Sequence, residues 1–146
     1  MKLPLRGECL CGAIRYEISR EPLSVYVCHC PDCQGGTGSA FSIGIFVPDE
    51  AFRETGGETR SVFGGVTLSG RVKSRRVCPD CGTWVYGDPR THAQYSGMVR
   101  AVRAGTLDDT SWLRPTAHLF IRNAQPWIIL PEGVKRYETQ PHNAGR

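Results

Sequence analysis

Seven cysteines carry most of the chemistry available to this sequence. They fall in three groups: Cys9 and Cys11; Cys28, Cys30 and Cys33; Cys78 and Cys81. On a strand, residues i and i+2 point to the same face, so Cys9/Cys11 and Cys28/Cys30 can each present two thiolates to one ion. A Cys-x-x-Cys turn brings two sulfurs within about 3.5–4 Å, which suits tetrahedral zinc with Zn–S bonds of about 2.3 Å. Cys30-Pro31-Asp32-Cys33 and Cys78-Pro79-Asp80-Cys81 are identical tetrapeptides and read as two metal knuckles. Soft thiolates favour zinc over magnesium or calcium. A redox Cys-x-x-Cys opens the helix of a βαβ unit, and the sequence shows no such unit.

Two partitions of the thiols are open. In one, the two knuckles join into a closed Cys₄ ribbon and leave Cys9, Cys11 and Cys28 spare. In the other, Cys9, Cys11, Cys78 and Cys81 surround one zinc and Cys28, Cys30 and Cys33 surround a second. Four thiolates close a tetrahedron, the mark of a structural site; three leave a position for water or substrate, the mark of a catalytic one. The second partition uses every cysteine, but spacing alone does not choose between them.

The frame that must position these thiols is modest. A chain of 146 residues fits one domain, 1–146. With 40% hydrophobic and 22% charged residues it has an ordinary globular composition. No apolar run reaches the roughly 20 residues of a membrane span, and Met1–Arg6 lacks the apolar core of a secretory signal. The expected location is therefore the cytoplasm, with thiols reduced and available to metal. The net charge of +4 is spread too thinly to indicate nucleic acid, and no membrane partner is expected. Fifteen Arg stand against three Lys, a bias that a GC-rich genome accounts for.

Strand character recurs at Ala13–Ile18, Ser24–Cys28, Phe41–Val47, Val72–Val77, Thr83–Tyr86, Met98–Val102, His118–Arg122 and Trp127–Leu130. Turn signals such as Gly56-Gly57 and Gly87-Asp88-Pro89 separate them. Helical periodicity is weak, limited to one turn after Cys33 and a short piece near Asp108–Leu113. The class is mainly β, with antiparallel sheets and little helix.

Other residues are assigned plainer roles. His29, between two ligand cysteines, should point away from the metal and serve as a buried support. His118 is expected in the core or lining, and His92 and His142 on the surface. Asp32 and Asp80 are expected to accept backbone N–H bonds inside their turns. Gly35, Gly36 and Gly38 read as a flexible loop after the open site. Trp84, Trp112 and Trp127 are expected in core or pocket wall. Arg100, Arg103 and Arg122 are expected on solvated strand faces.

Three motifs carry a resemblance: Gly7-Glu8-Cys9-Leu10-Cys11-Gly12, Cys28-His29-Cys30-Pro31-Asp32-Cys33 with Gly38, and Val77-Cys78-Pro79-Asp80-Cys81-Gly82-Thr83. Ala104–Asp109, Pro115 with His118-Leu119-Phe120, and Pro126-Trp127 extend it over about residues 5 to 140. The sequence resembles the glutathione-dependent formaldehyde-activating enzyme family, which includes the centromere protein V domain. The resemblance implies a two-zinc β-tent. Cys9, Cys11, Cys78 and Cys81 would hold structural zinc, and Cys28, Cys30 and Cys33 catalytic zinc. It also implies a carbon–sulfur lyase of the S-(hydroxymethyl)glutathione synthase type, joining glutathione or a similar thiol to formaldehyde. Many relatives have Arg after the third catalytic cysteine; here it is Gln34, so Gln34→Arg is expected to strengthen anionic thiol binding if that side chain faces the pocket. The alternative is a non-catalytic, zinc-stabilised binding module on the same fold.

Overall fold

The computed structural model describes residues 1–66, 70 and 72–141; His142 lies outside them. The strands are, in order, β1 (Leu5–Glu8), β2 (Arg15–Ile18) and β3 (Ser24–Cys28), followed by helix α1 (Pro31–Thr37). Then come β4 (Ser42–Pro48), β5 (Phe52–Gly56), β6 (Arg60–Val66), β7 (Val72–Val77) and β8 (Trp84–Tyr86). The chain ends with β9 (Arg90–His92), β10 (Tyr95–Arg103), β11 (Ala117–Leu119) and β12 (Lys135–Tyr137). The mainly β expectation holds. Among the described residues no helix is long and apolar enough to cross a membrane.

One sheet orders β1-β2-β5; the other runs β12-β11-β3-β4-β10-β8-β7-β6, with β9 pairing β10. Most pairs are antiparallel, as expected, but β11 lies parallel to both β3 and β12. The central pair is β4 with β10, in register from Val99 opposite Pro48 to Arg103 opposite Gly44. Its pleat separates two cores. Ile45, Val47 and Val102 face one, with Ile14, Tyr16, Ile18 and Val85. Phe46, Val99 and Ala101 face the other, with Tyr26, Leu119 and Phe120. Cys9 and Cys78 are buried in the first core, Cys28 and Cys30 in the second.

Three expected elements differ. The His118–Arg122 strand stops at Leu119 because Phe120 adopts a left-handed backbone (φ 56°), and a 3₁₀ turn at Ile121–Asn123 follows. Trp127–Leu130 is no strand; Trp127 and Ile129 are exposed there, so no apolar face holds the segment to a sheet. Near Asp108–Leu113 the chain makes only a turn, in which the Asp109 carboxylate accepts the Ser111 N–H at 2.9 Å. A short carboxylate that satisfies a local N–H competes with helix continuation.

Candidate metal centres

The first cluster joins two distant turns. After β1, the Cys9 N–H donates to the Ile14 carbonyl and the Ile14 N–H to Cys9 Sγ at 3.2 Å, folding Cys11 back beside Cys9. At the other turn, Cys78 N–H donates to the Thr83 carbonyl and Gly82 N–H to the Cys78 carbonyl. Leu10 N–H reaches Thr83 Oγ1 at 3.2 Å and ties the turns directly. Sγ of Cys9 and Cys11 are 3.5 Å apart, and those of Cys11 and Cys78 3.7 Å. All four sulfurs, including Cys81, lie within 4.8 Å of one another. A zinc tetrathiolate with about 2.3 Å bonds has edges of about 3.8 Å, so the donor set and spacing fit such an ion. The Thr83 hydroxyl, 3.1 Å from Cys81 Sγ, helps hold that thiol down at about 6.

The second cluster is built by one short segment. β3 delivers Cys28, and Cys30 caps α1, its Sγ accepting the Cys33 N–H at 3.4 Å. Pro31 suits the first helical turn because it has no N–H to leave orphaned. Gly38 ends the helix in the left-handed conformation (φ 68°) that a glycine adopts without strain. Residues Gly35 and Gly36 therefore belong to a helix and not to a flexible loop: the cap, Pro31 and Gly38 outweigh the roughly 1 kcal/mol that each internal glycine costs. The cap on this turn is the Cys30 sulfur, while Asp80 in the other knuckle is exposed.

Sγ of Cys28, Cys30 and Cys33 lie within 4.8 Å of one another, and among the described residues no fourth Cys, His, Asp or Glu joins them. The three thiols compete for protons. S–H donation from Cys28 and Cys30 pulls Cys33 far down, and the same contacts push Cys28 up. The set can hold a metal ion with a coordination position left over.

His29 is wholly buried and turns away, its Nε2 3.0 Å from His118 Nδ1 with the rings stacked. Burial pushes both imidazoles below their ordinary value, so the pair is neutral and one ring donates to the other. Neither lines the cavity. Gln34 does not face it either: its Nε2 donates to the carbonyls of His29 (2.7 Å) and Asn123 (3.0 Å), and its Oε1 accepts from Gln125. The condition under which Gln34→Arg would favour an anion is not met.

Beside the second cluster opens a cavity of about 230 Å³, many times the roughly 30 Å³ share of one water. Tyr26, Phe46 and Trp84 form apolar walls, and Arg75, Arg90 and Arg103 supply cations. Trp84 is thus pocket wall and Trp112 packs on the first core, but Trp127 is exposed, its indole N–H donating to Gln125. His92 is half-buried at the cavity, stacked on Tyr95 and tilted against Phe46, not free at the surface. Arg122 is exposed as expected. Arg100 is committed to Asp49, bonding it through Nε (2.9 Å) and Nη2 (2.7 Å). Arg103 is the residue that sequence reasoning misplaced, since it is buried against the cluster. The signal was present: on β10 it shares a face with Val99 and Ala101.

The family profile described as "Glutathione-dependent formaldehyde-activating enzyme" matches residues 4–123. No curated protein matches the chain significantly. Among solved structures, the crystal structure of a Rhodobacter sphaeroides protein aligns with a TM-score of 0.52 at 18% identity, over 90% of this chain and 98% of that one. At that identity the likeness is one of fold.

Proposed function

Because the chain belongs to the glutathione-dependent formaldehyde-activating enzyme family, we propose that it is a cytoplasmic, zinc-dependent carbon–sulfur lyase joining a glutathione-like thiol to formaldehyde. The observation that carries this reading is the trio of Cys28, Cys30 and Cys33, three thiols without a fourth protein ligand among the described residues, opening on a cation-lined cavity. Cys28, Cys30 and Cys33 hold the catalytic zinc; Cys9, Cys11, Cys78 and Cys81 hold a structural one. Cys28, Cys30 and Cys33 would hold zinc with one position open to the substrate sulfur, and the ion would lower the thiol pKa so that thiolate is available at neutral pH.

The rest is positioning by the chain itself. Tyr26, Phe46 and Trp84 confine the small carbonyl beside the sulfur and keep bulk water out. Arg75 and Arg90 at the cavity suit the carboxylates of a glutathione-like thiol, which guanidinium groups bind through paired N–H donors. The sulfur lone pair forms the carbon–sulfur bond, the carbonyl π pair moves to oxygen, and that oxygen takes up the proton the thiol gave up. The product is a hydroxymethyl thioether; the reverse step cleaves the bond and returns aldehyde and thiol.

Exchange NMR between formaldehyde and glutathione tests the reading. Metal-loaded protein should accelerate exchange, and Cys30→Ser should abolish the acceleration. Loaded protein that leaves the exchange rate unchanged overturns it.

A further inference from the structure

Arg103 is 8% exposed and pairs with no carboxylate among the described residues. Its Nη2 donates to the Tyr26 hydroxyl at 2.7 Å, its Nη1 to Ser42 Oγ at 3.0 Å, and its Nε is buried without a partner. The guanidinium lies 4.4 Å from the Trp84 ring centre and 6.0 Å from that of Tyr26. Space for it is built in. Gly44 sits opposite Arg103 on β4, and a Cβ there would come within 2.6 Å of the Tyr26 ring and 2.9 Å of Arg103 Nη2. Two neutral hydroxyls and two rings do not balance a buried charge, which is costly unless an opposite charge lies near. Asp32 and Asp88 also line this cavity, but Asp88 is held by Ser74 and Arg76. The acidic groups whose charge acts on the guanidinium are the thiols of Cys33 and Cys28 on the same wall.

Three thiolates and one divalent ion leave a formal charge of −1, which would repel an incoming thiolate. We propose that Arg103 is a positioning residue of the open cluster, offsetting that remaining charge so that the loaded site is neutral overall and accepts an anionic thiol. The inference rests on the metal role proposed for the trio. Tyr26 and Ser42 fix the guanidinium, and Trp84 covers it without neutralising it.

Cobalt(II) is the probe, because its thiolate absorption reports each site directly. Competition with a chromogenic chelator should show Arg103→Gln holding the trio's ion about 10–100-fold less tightly, the usual cost of losing a supporting group around a metal. Arg103→Lys should recover most of that loss, and the ion at Cys9, Cys11, Cys78 and Cys81 should be unmoved in both. Equal affinity in Arg103→Gln, while Cys30→Ser loses one ion, overturns the role of Arg103 alone. An unchanged ion count in Cys30→Ser removes the metal role of the trio, and this proposal with it. The wild type gives a test that needs no folded variant. Mercaptoacetate should perturb the cobalt spectrum at concentrations no higher than neutral mercaptoethanol and well below those of cationic cysteamine. Tightest binding by cysteamine would show the site still anionic and overturn the proposal.

Discussion

The two cysteine clusters sit against opposite sides of one strand pair, and they differ in what they hold together. Cys9 and Cys11 meet Cys78 and Cys81 across a sequence gap of 67 residues between Cys11 and Cys78. Cys28, Cys30 and Cys33 lie within six residues on the end of β3 and the start of α1. Closing a loop of about 67 residues constrains the unfolded chain by about 2 kcal/mol more than closing one of about five. The first cluster also shares its core with Ile14, Ile45, Val47 and Val85, whereas the second faces a cavity. An ion in the first is a cross-link, and an ion in the second is within reach of a ligand.

The largest effect expected from this contrast is that of Cys78→Ser. A structural zinc contributes about 10–16 kcal/mol of apparent binding energy, as large as the whole stability of a typical domain. The variant should be insoluble or unfolded by circular dichroism. A soluble, folded Cys78→Ser protein carrying two ions per chain would break the comparison at its first term.

Cys30→Ser should do much less to the fold and as much to the site. It removes one ligand but not the cap on α1, since a serine hydroxyl accepts the Cys33 N–H at least as well as the Cys30 sulfur does. Elemental analysis should find one ion in place of two, with the circular dichroism spectrum of the wild type retained. Limiting chelator should likewise strip the trio's ion first and leave the fold standing. Simultaneous loss of both ions with unfolding would mean that the two clusters do not differ in the way proposed.

What the sequence disclosed follows the same division. Cysteine spacing marked the three runs of thiols, because strand alternation and the Cys-x-x-Cys turn are visible in the chain. It left open which runs share an ion, and only the family resemblance implied the partition. The pocket wall was harder to see. Arg103 alternates with Val99 and Ala101 in the sequence, but that it has room to be buried shows only once β10 is paired with β4 and Gly44 is found opposite it. His92 reads as surface because the Phe46 and Tyr95 rings that meet it come from two other strands. The helix after Cys30 showed only as one turn after Cys33, because two glycines weaken its pattern, and the parallel pairing of β11 was hidden by its three-residue length.

A smaller effect is expected at Gln34. Its amide satisfies the carbonyls of His29 and Asn123, tying α1 to the 3₁₀ turn at Ile121–Asn123. Gln34→Arg should cost about 1–3 kcal/mol by leaving partly buried carbonyls unpaired. It should not tighten binding of an anionic thiol, because the side chain does not reach the cavity. Calorimetric titration with mercaptoacetate, alongside a thermal melt, separates the two. Tighter binding without loss of stability would place position 34 in the pocket after all.

The smallest effect belongs to the cavity rim on the open side. Asp88 accepts hydrogen bonds from the Ser74 hydroxyl and from Arg76 Nε, the latter at 2.7 Å. Burial works against its charge, but those two partners outweigh it and hold the carboxyl below its ordinary value. The unfolded chain therefore binds this proton more readily than the folded one, and stability rises with pH through the interval between the two values. At neutral pH the full contribution is present. It begins to fall as the pH drops toward about 4, where the unfolded carboxyl titrates, and is gone below the folded value. With the Asp88 side chain 38% exposed, solvent screens the pair, and the contribution is under about 1 kcal/mol. Denaturant melts of the wild type and Asp88→Asn at matched pH remove whatever acid does to both proteins alike. Their difference should be largest at pH 7 and shrink steadily as acid protonates the folded carboxyl too, with two ions per chain in each protein at neutral pH. A difference that stays constant with pH would show that Asp88 acts through packing. Loss of an ion at neutral pH in Asp88→Asn would instead tie the rim to the open cluster more tightly than its geometry indicates.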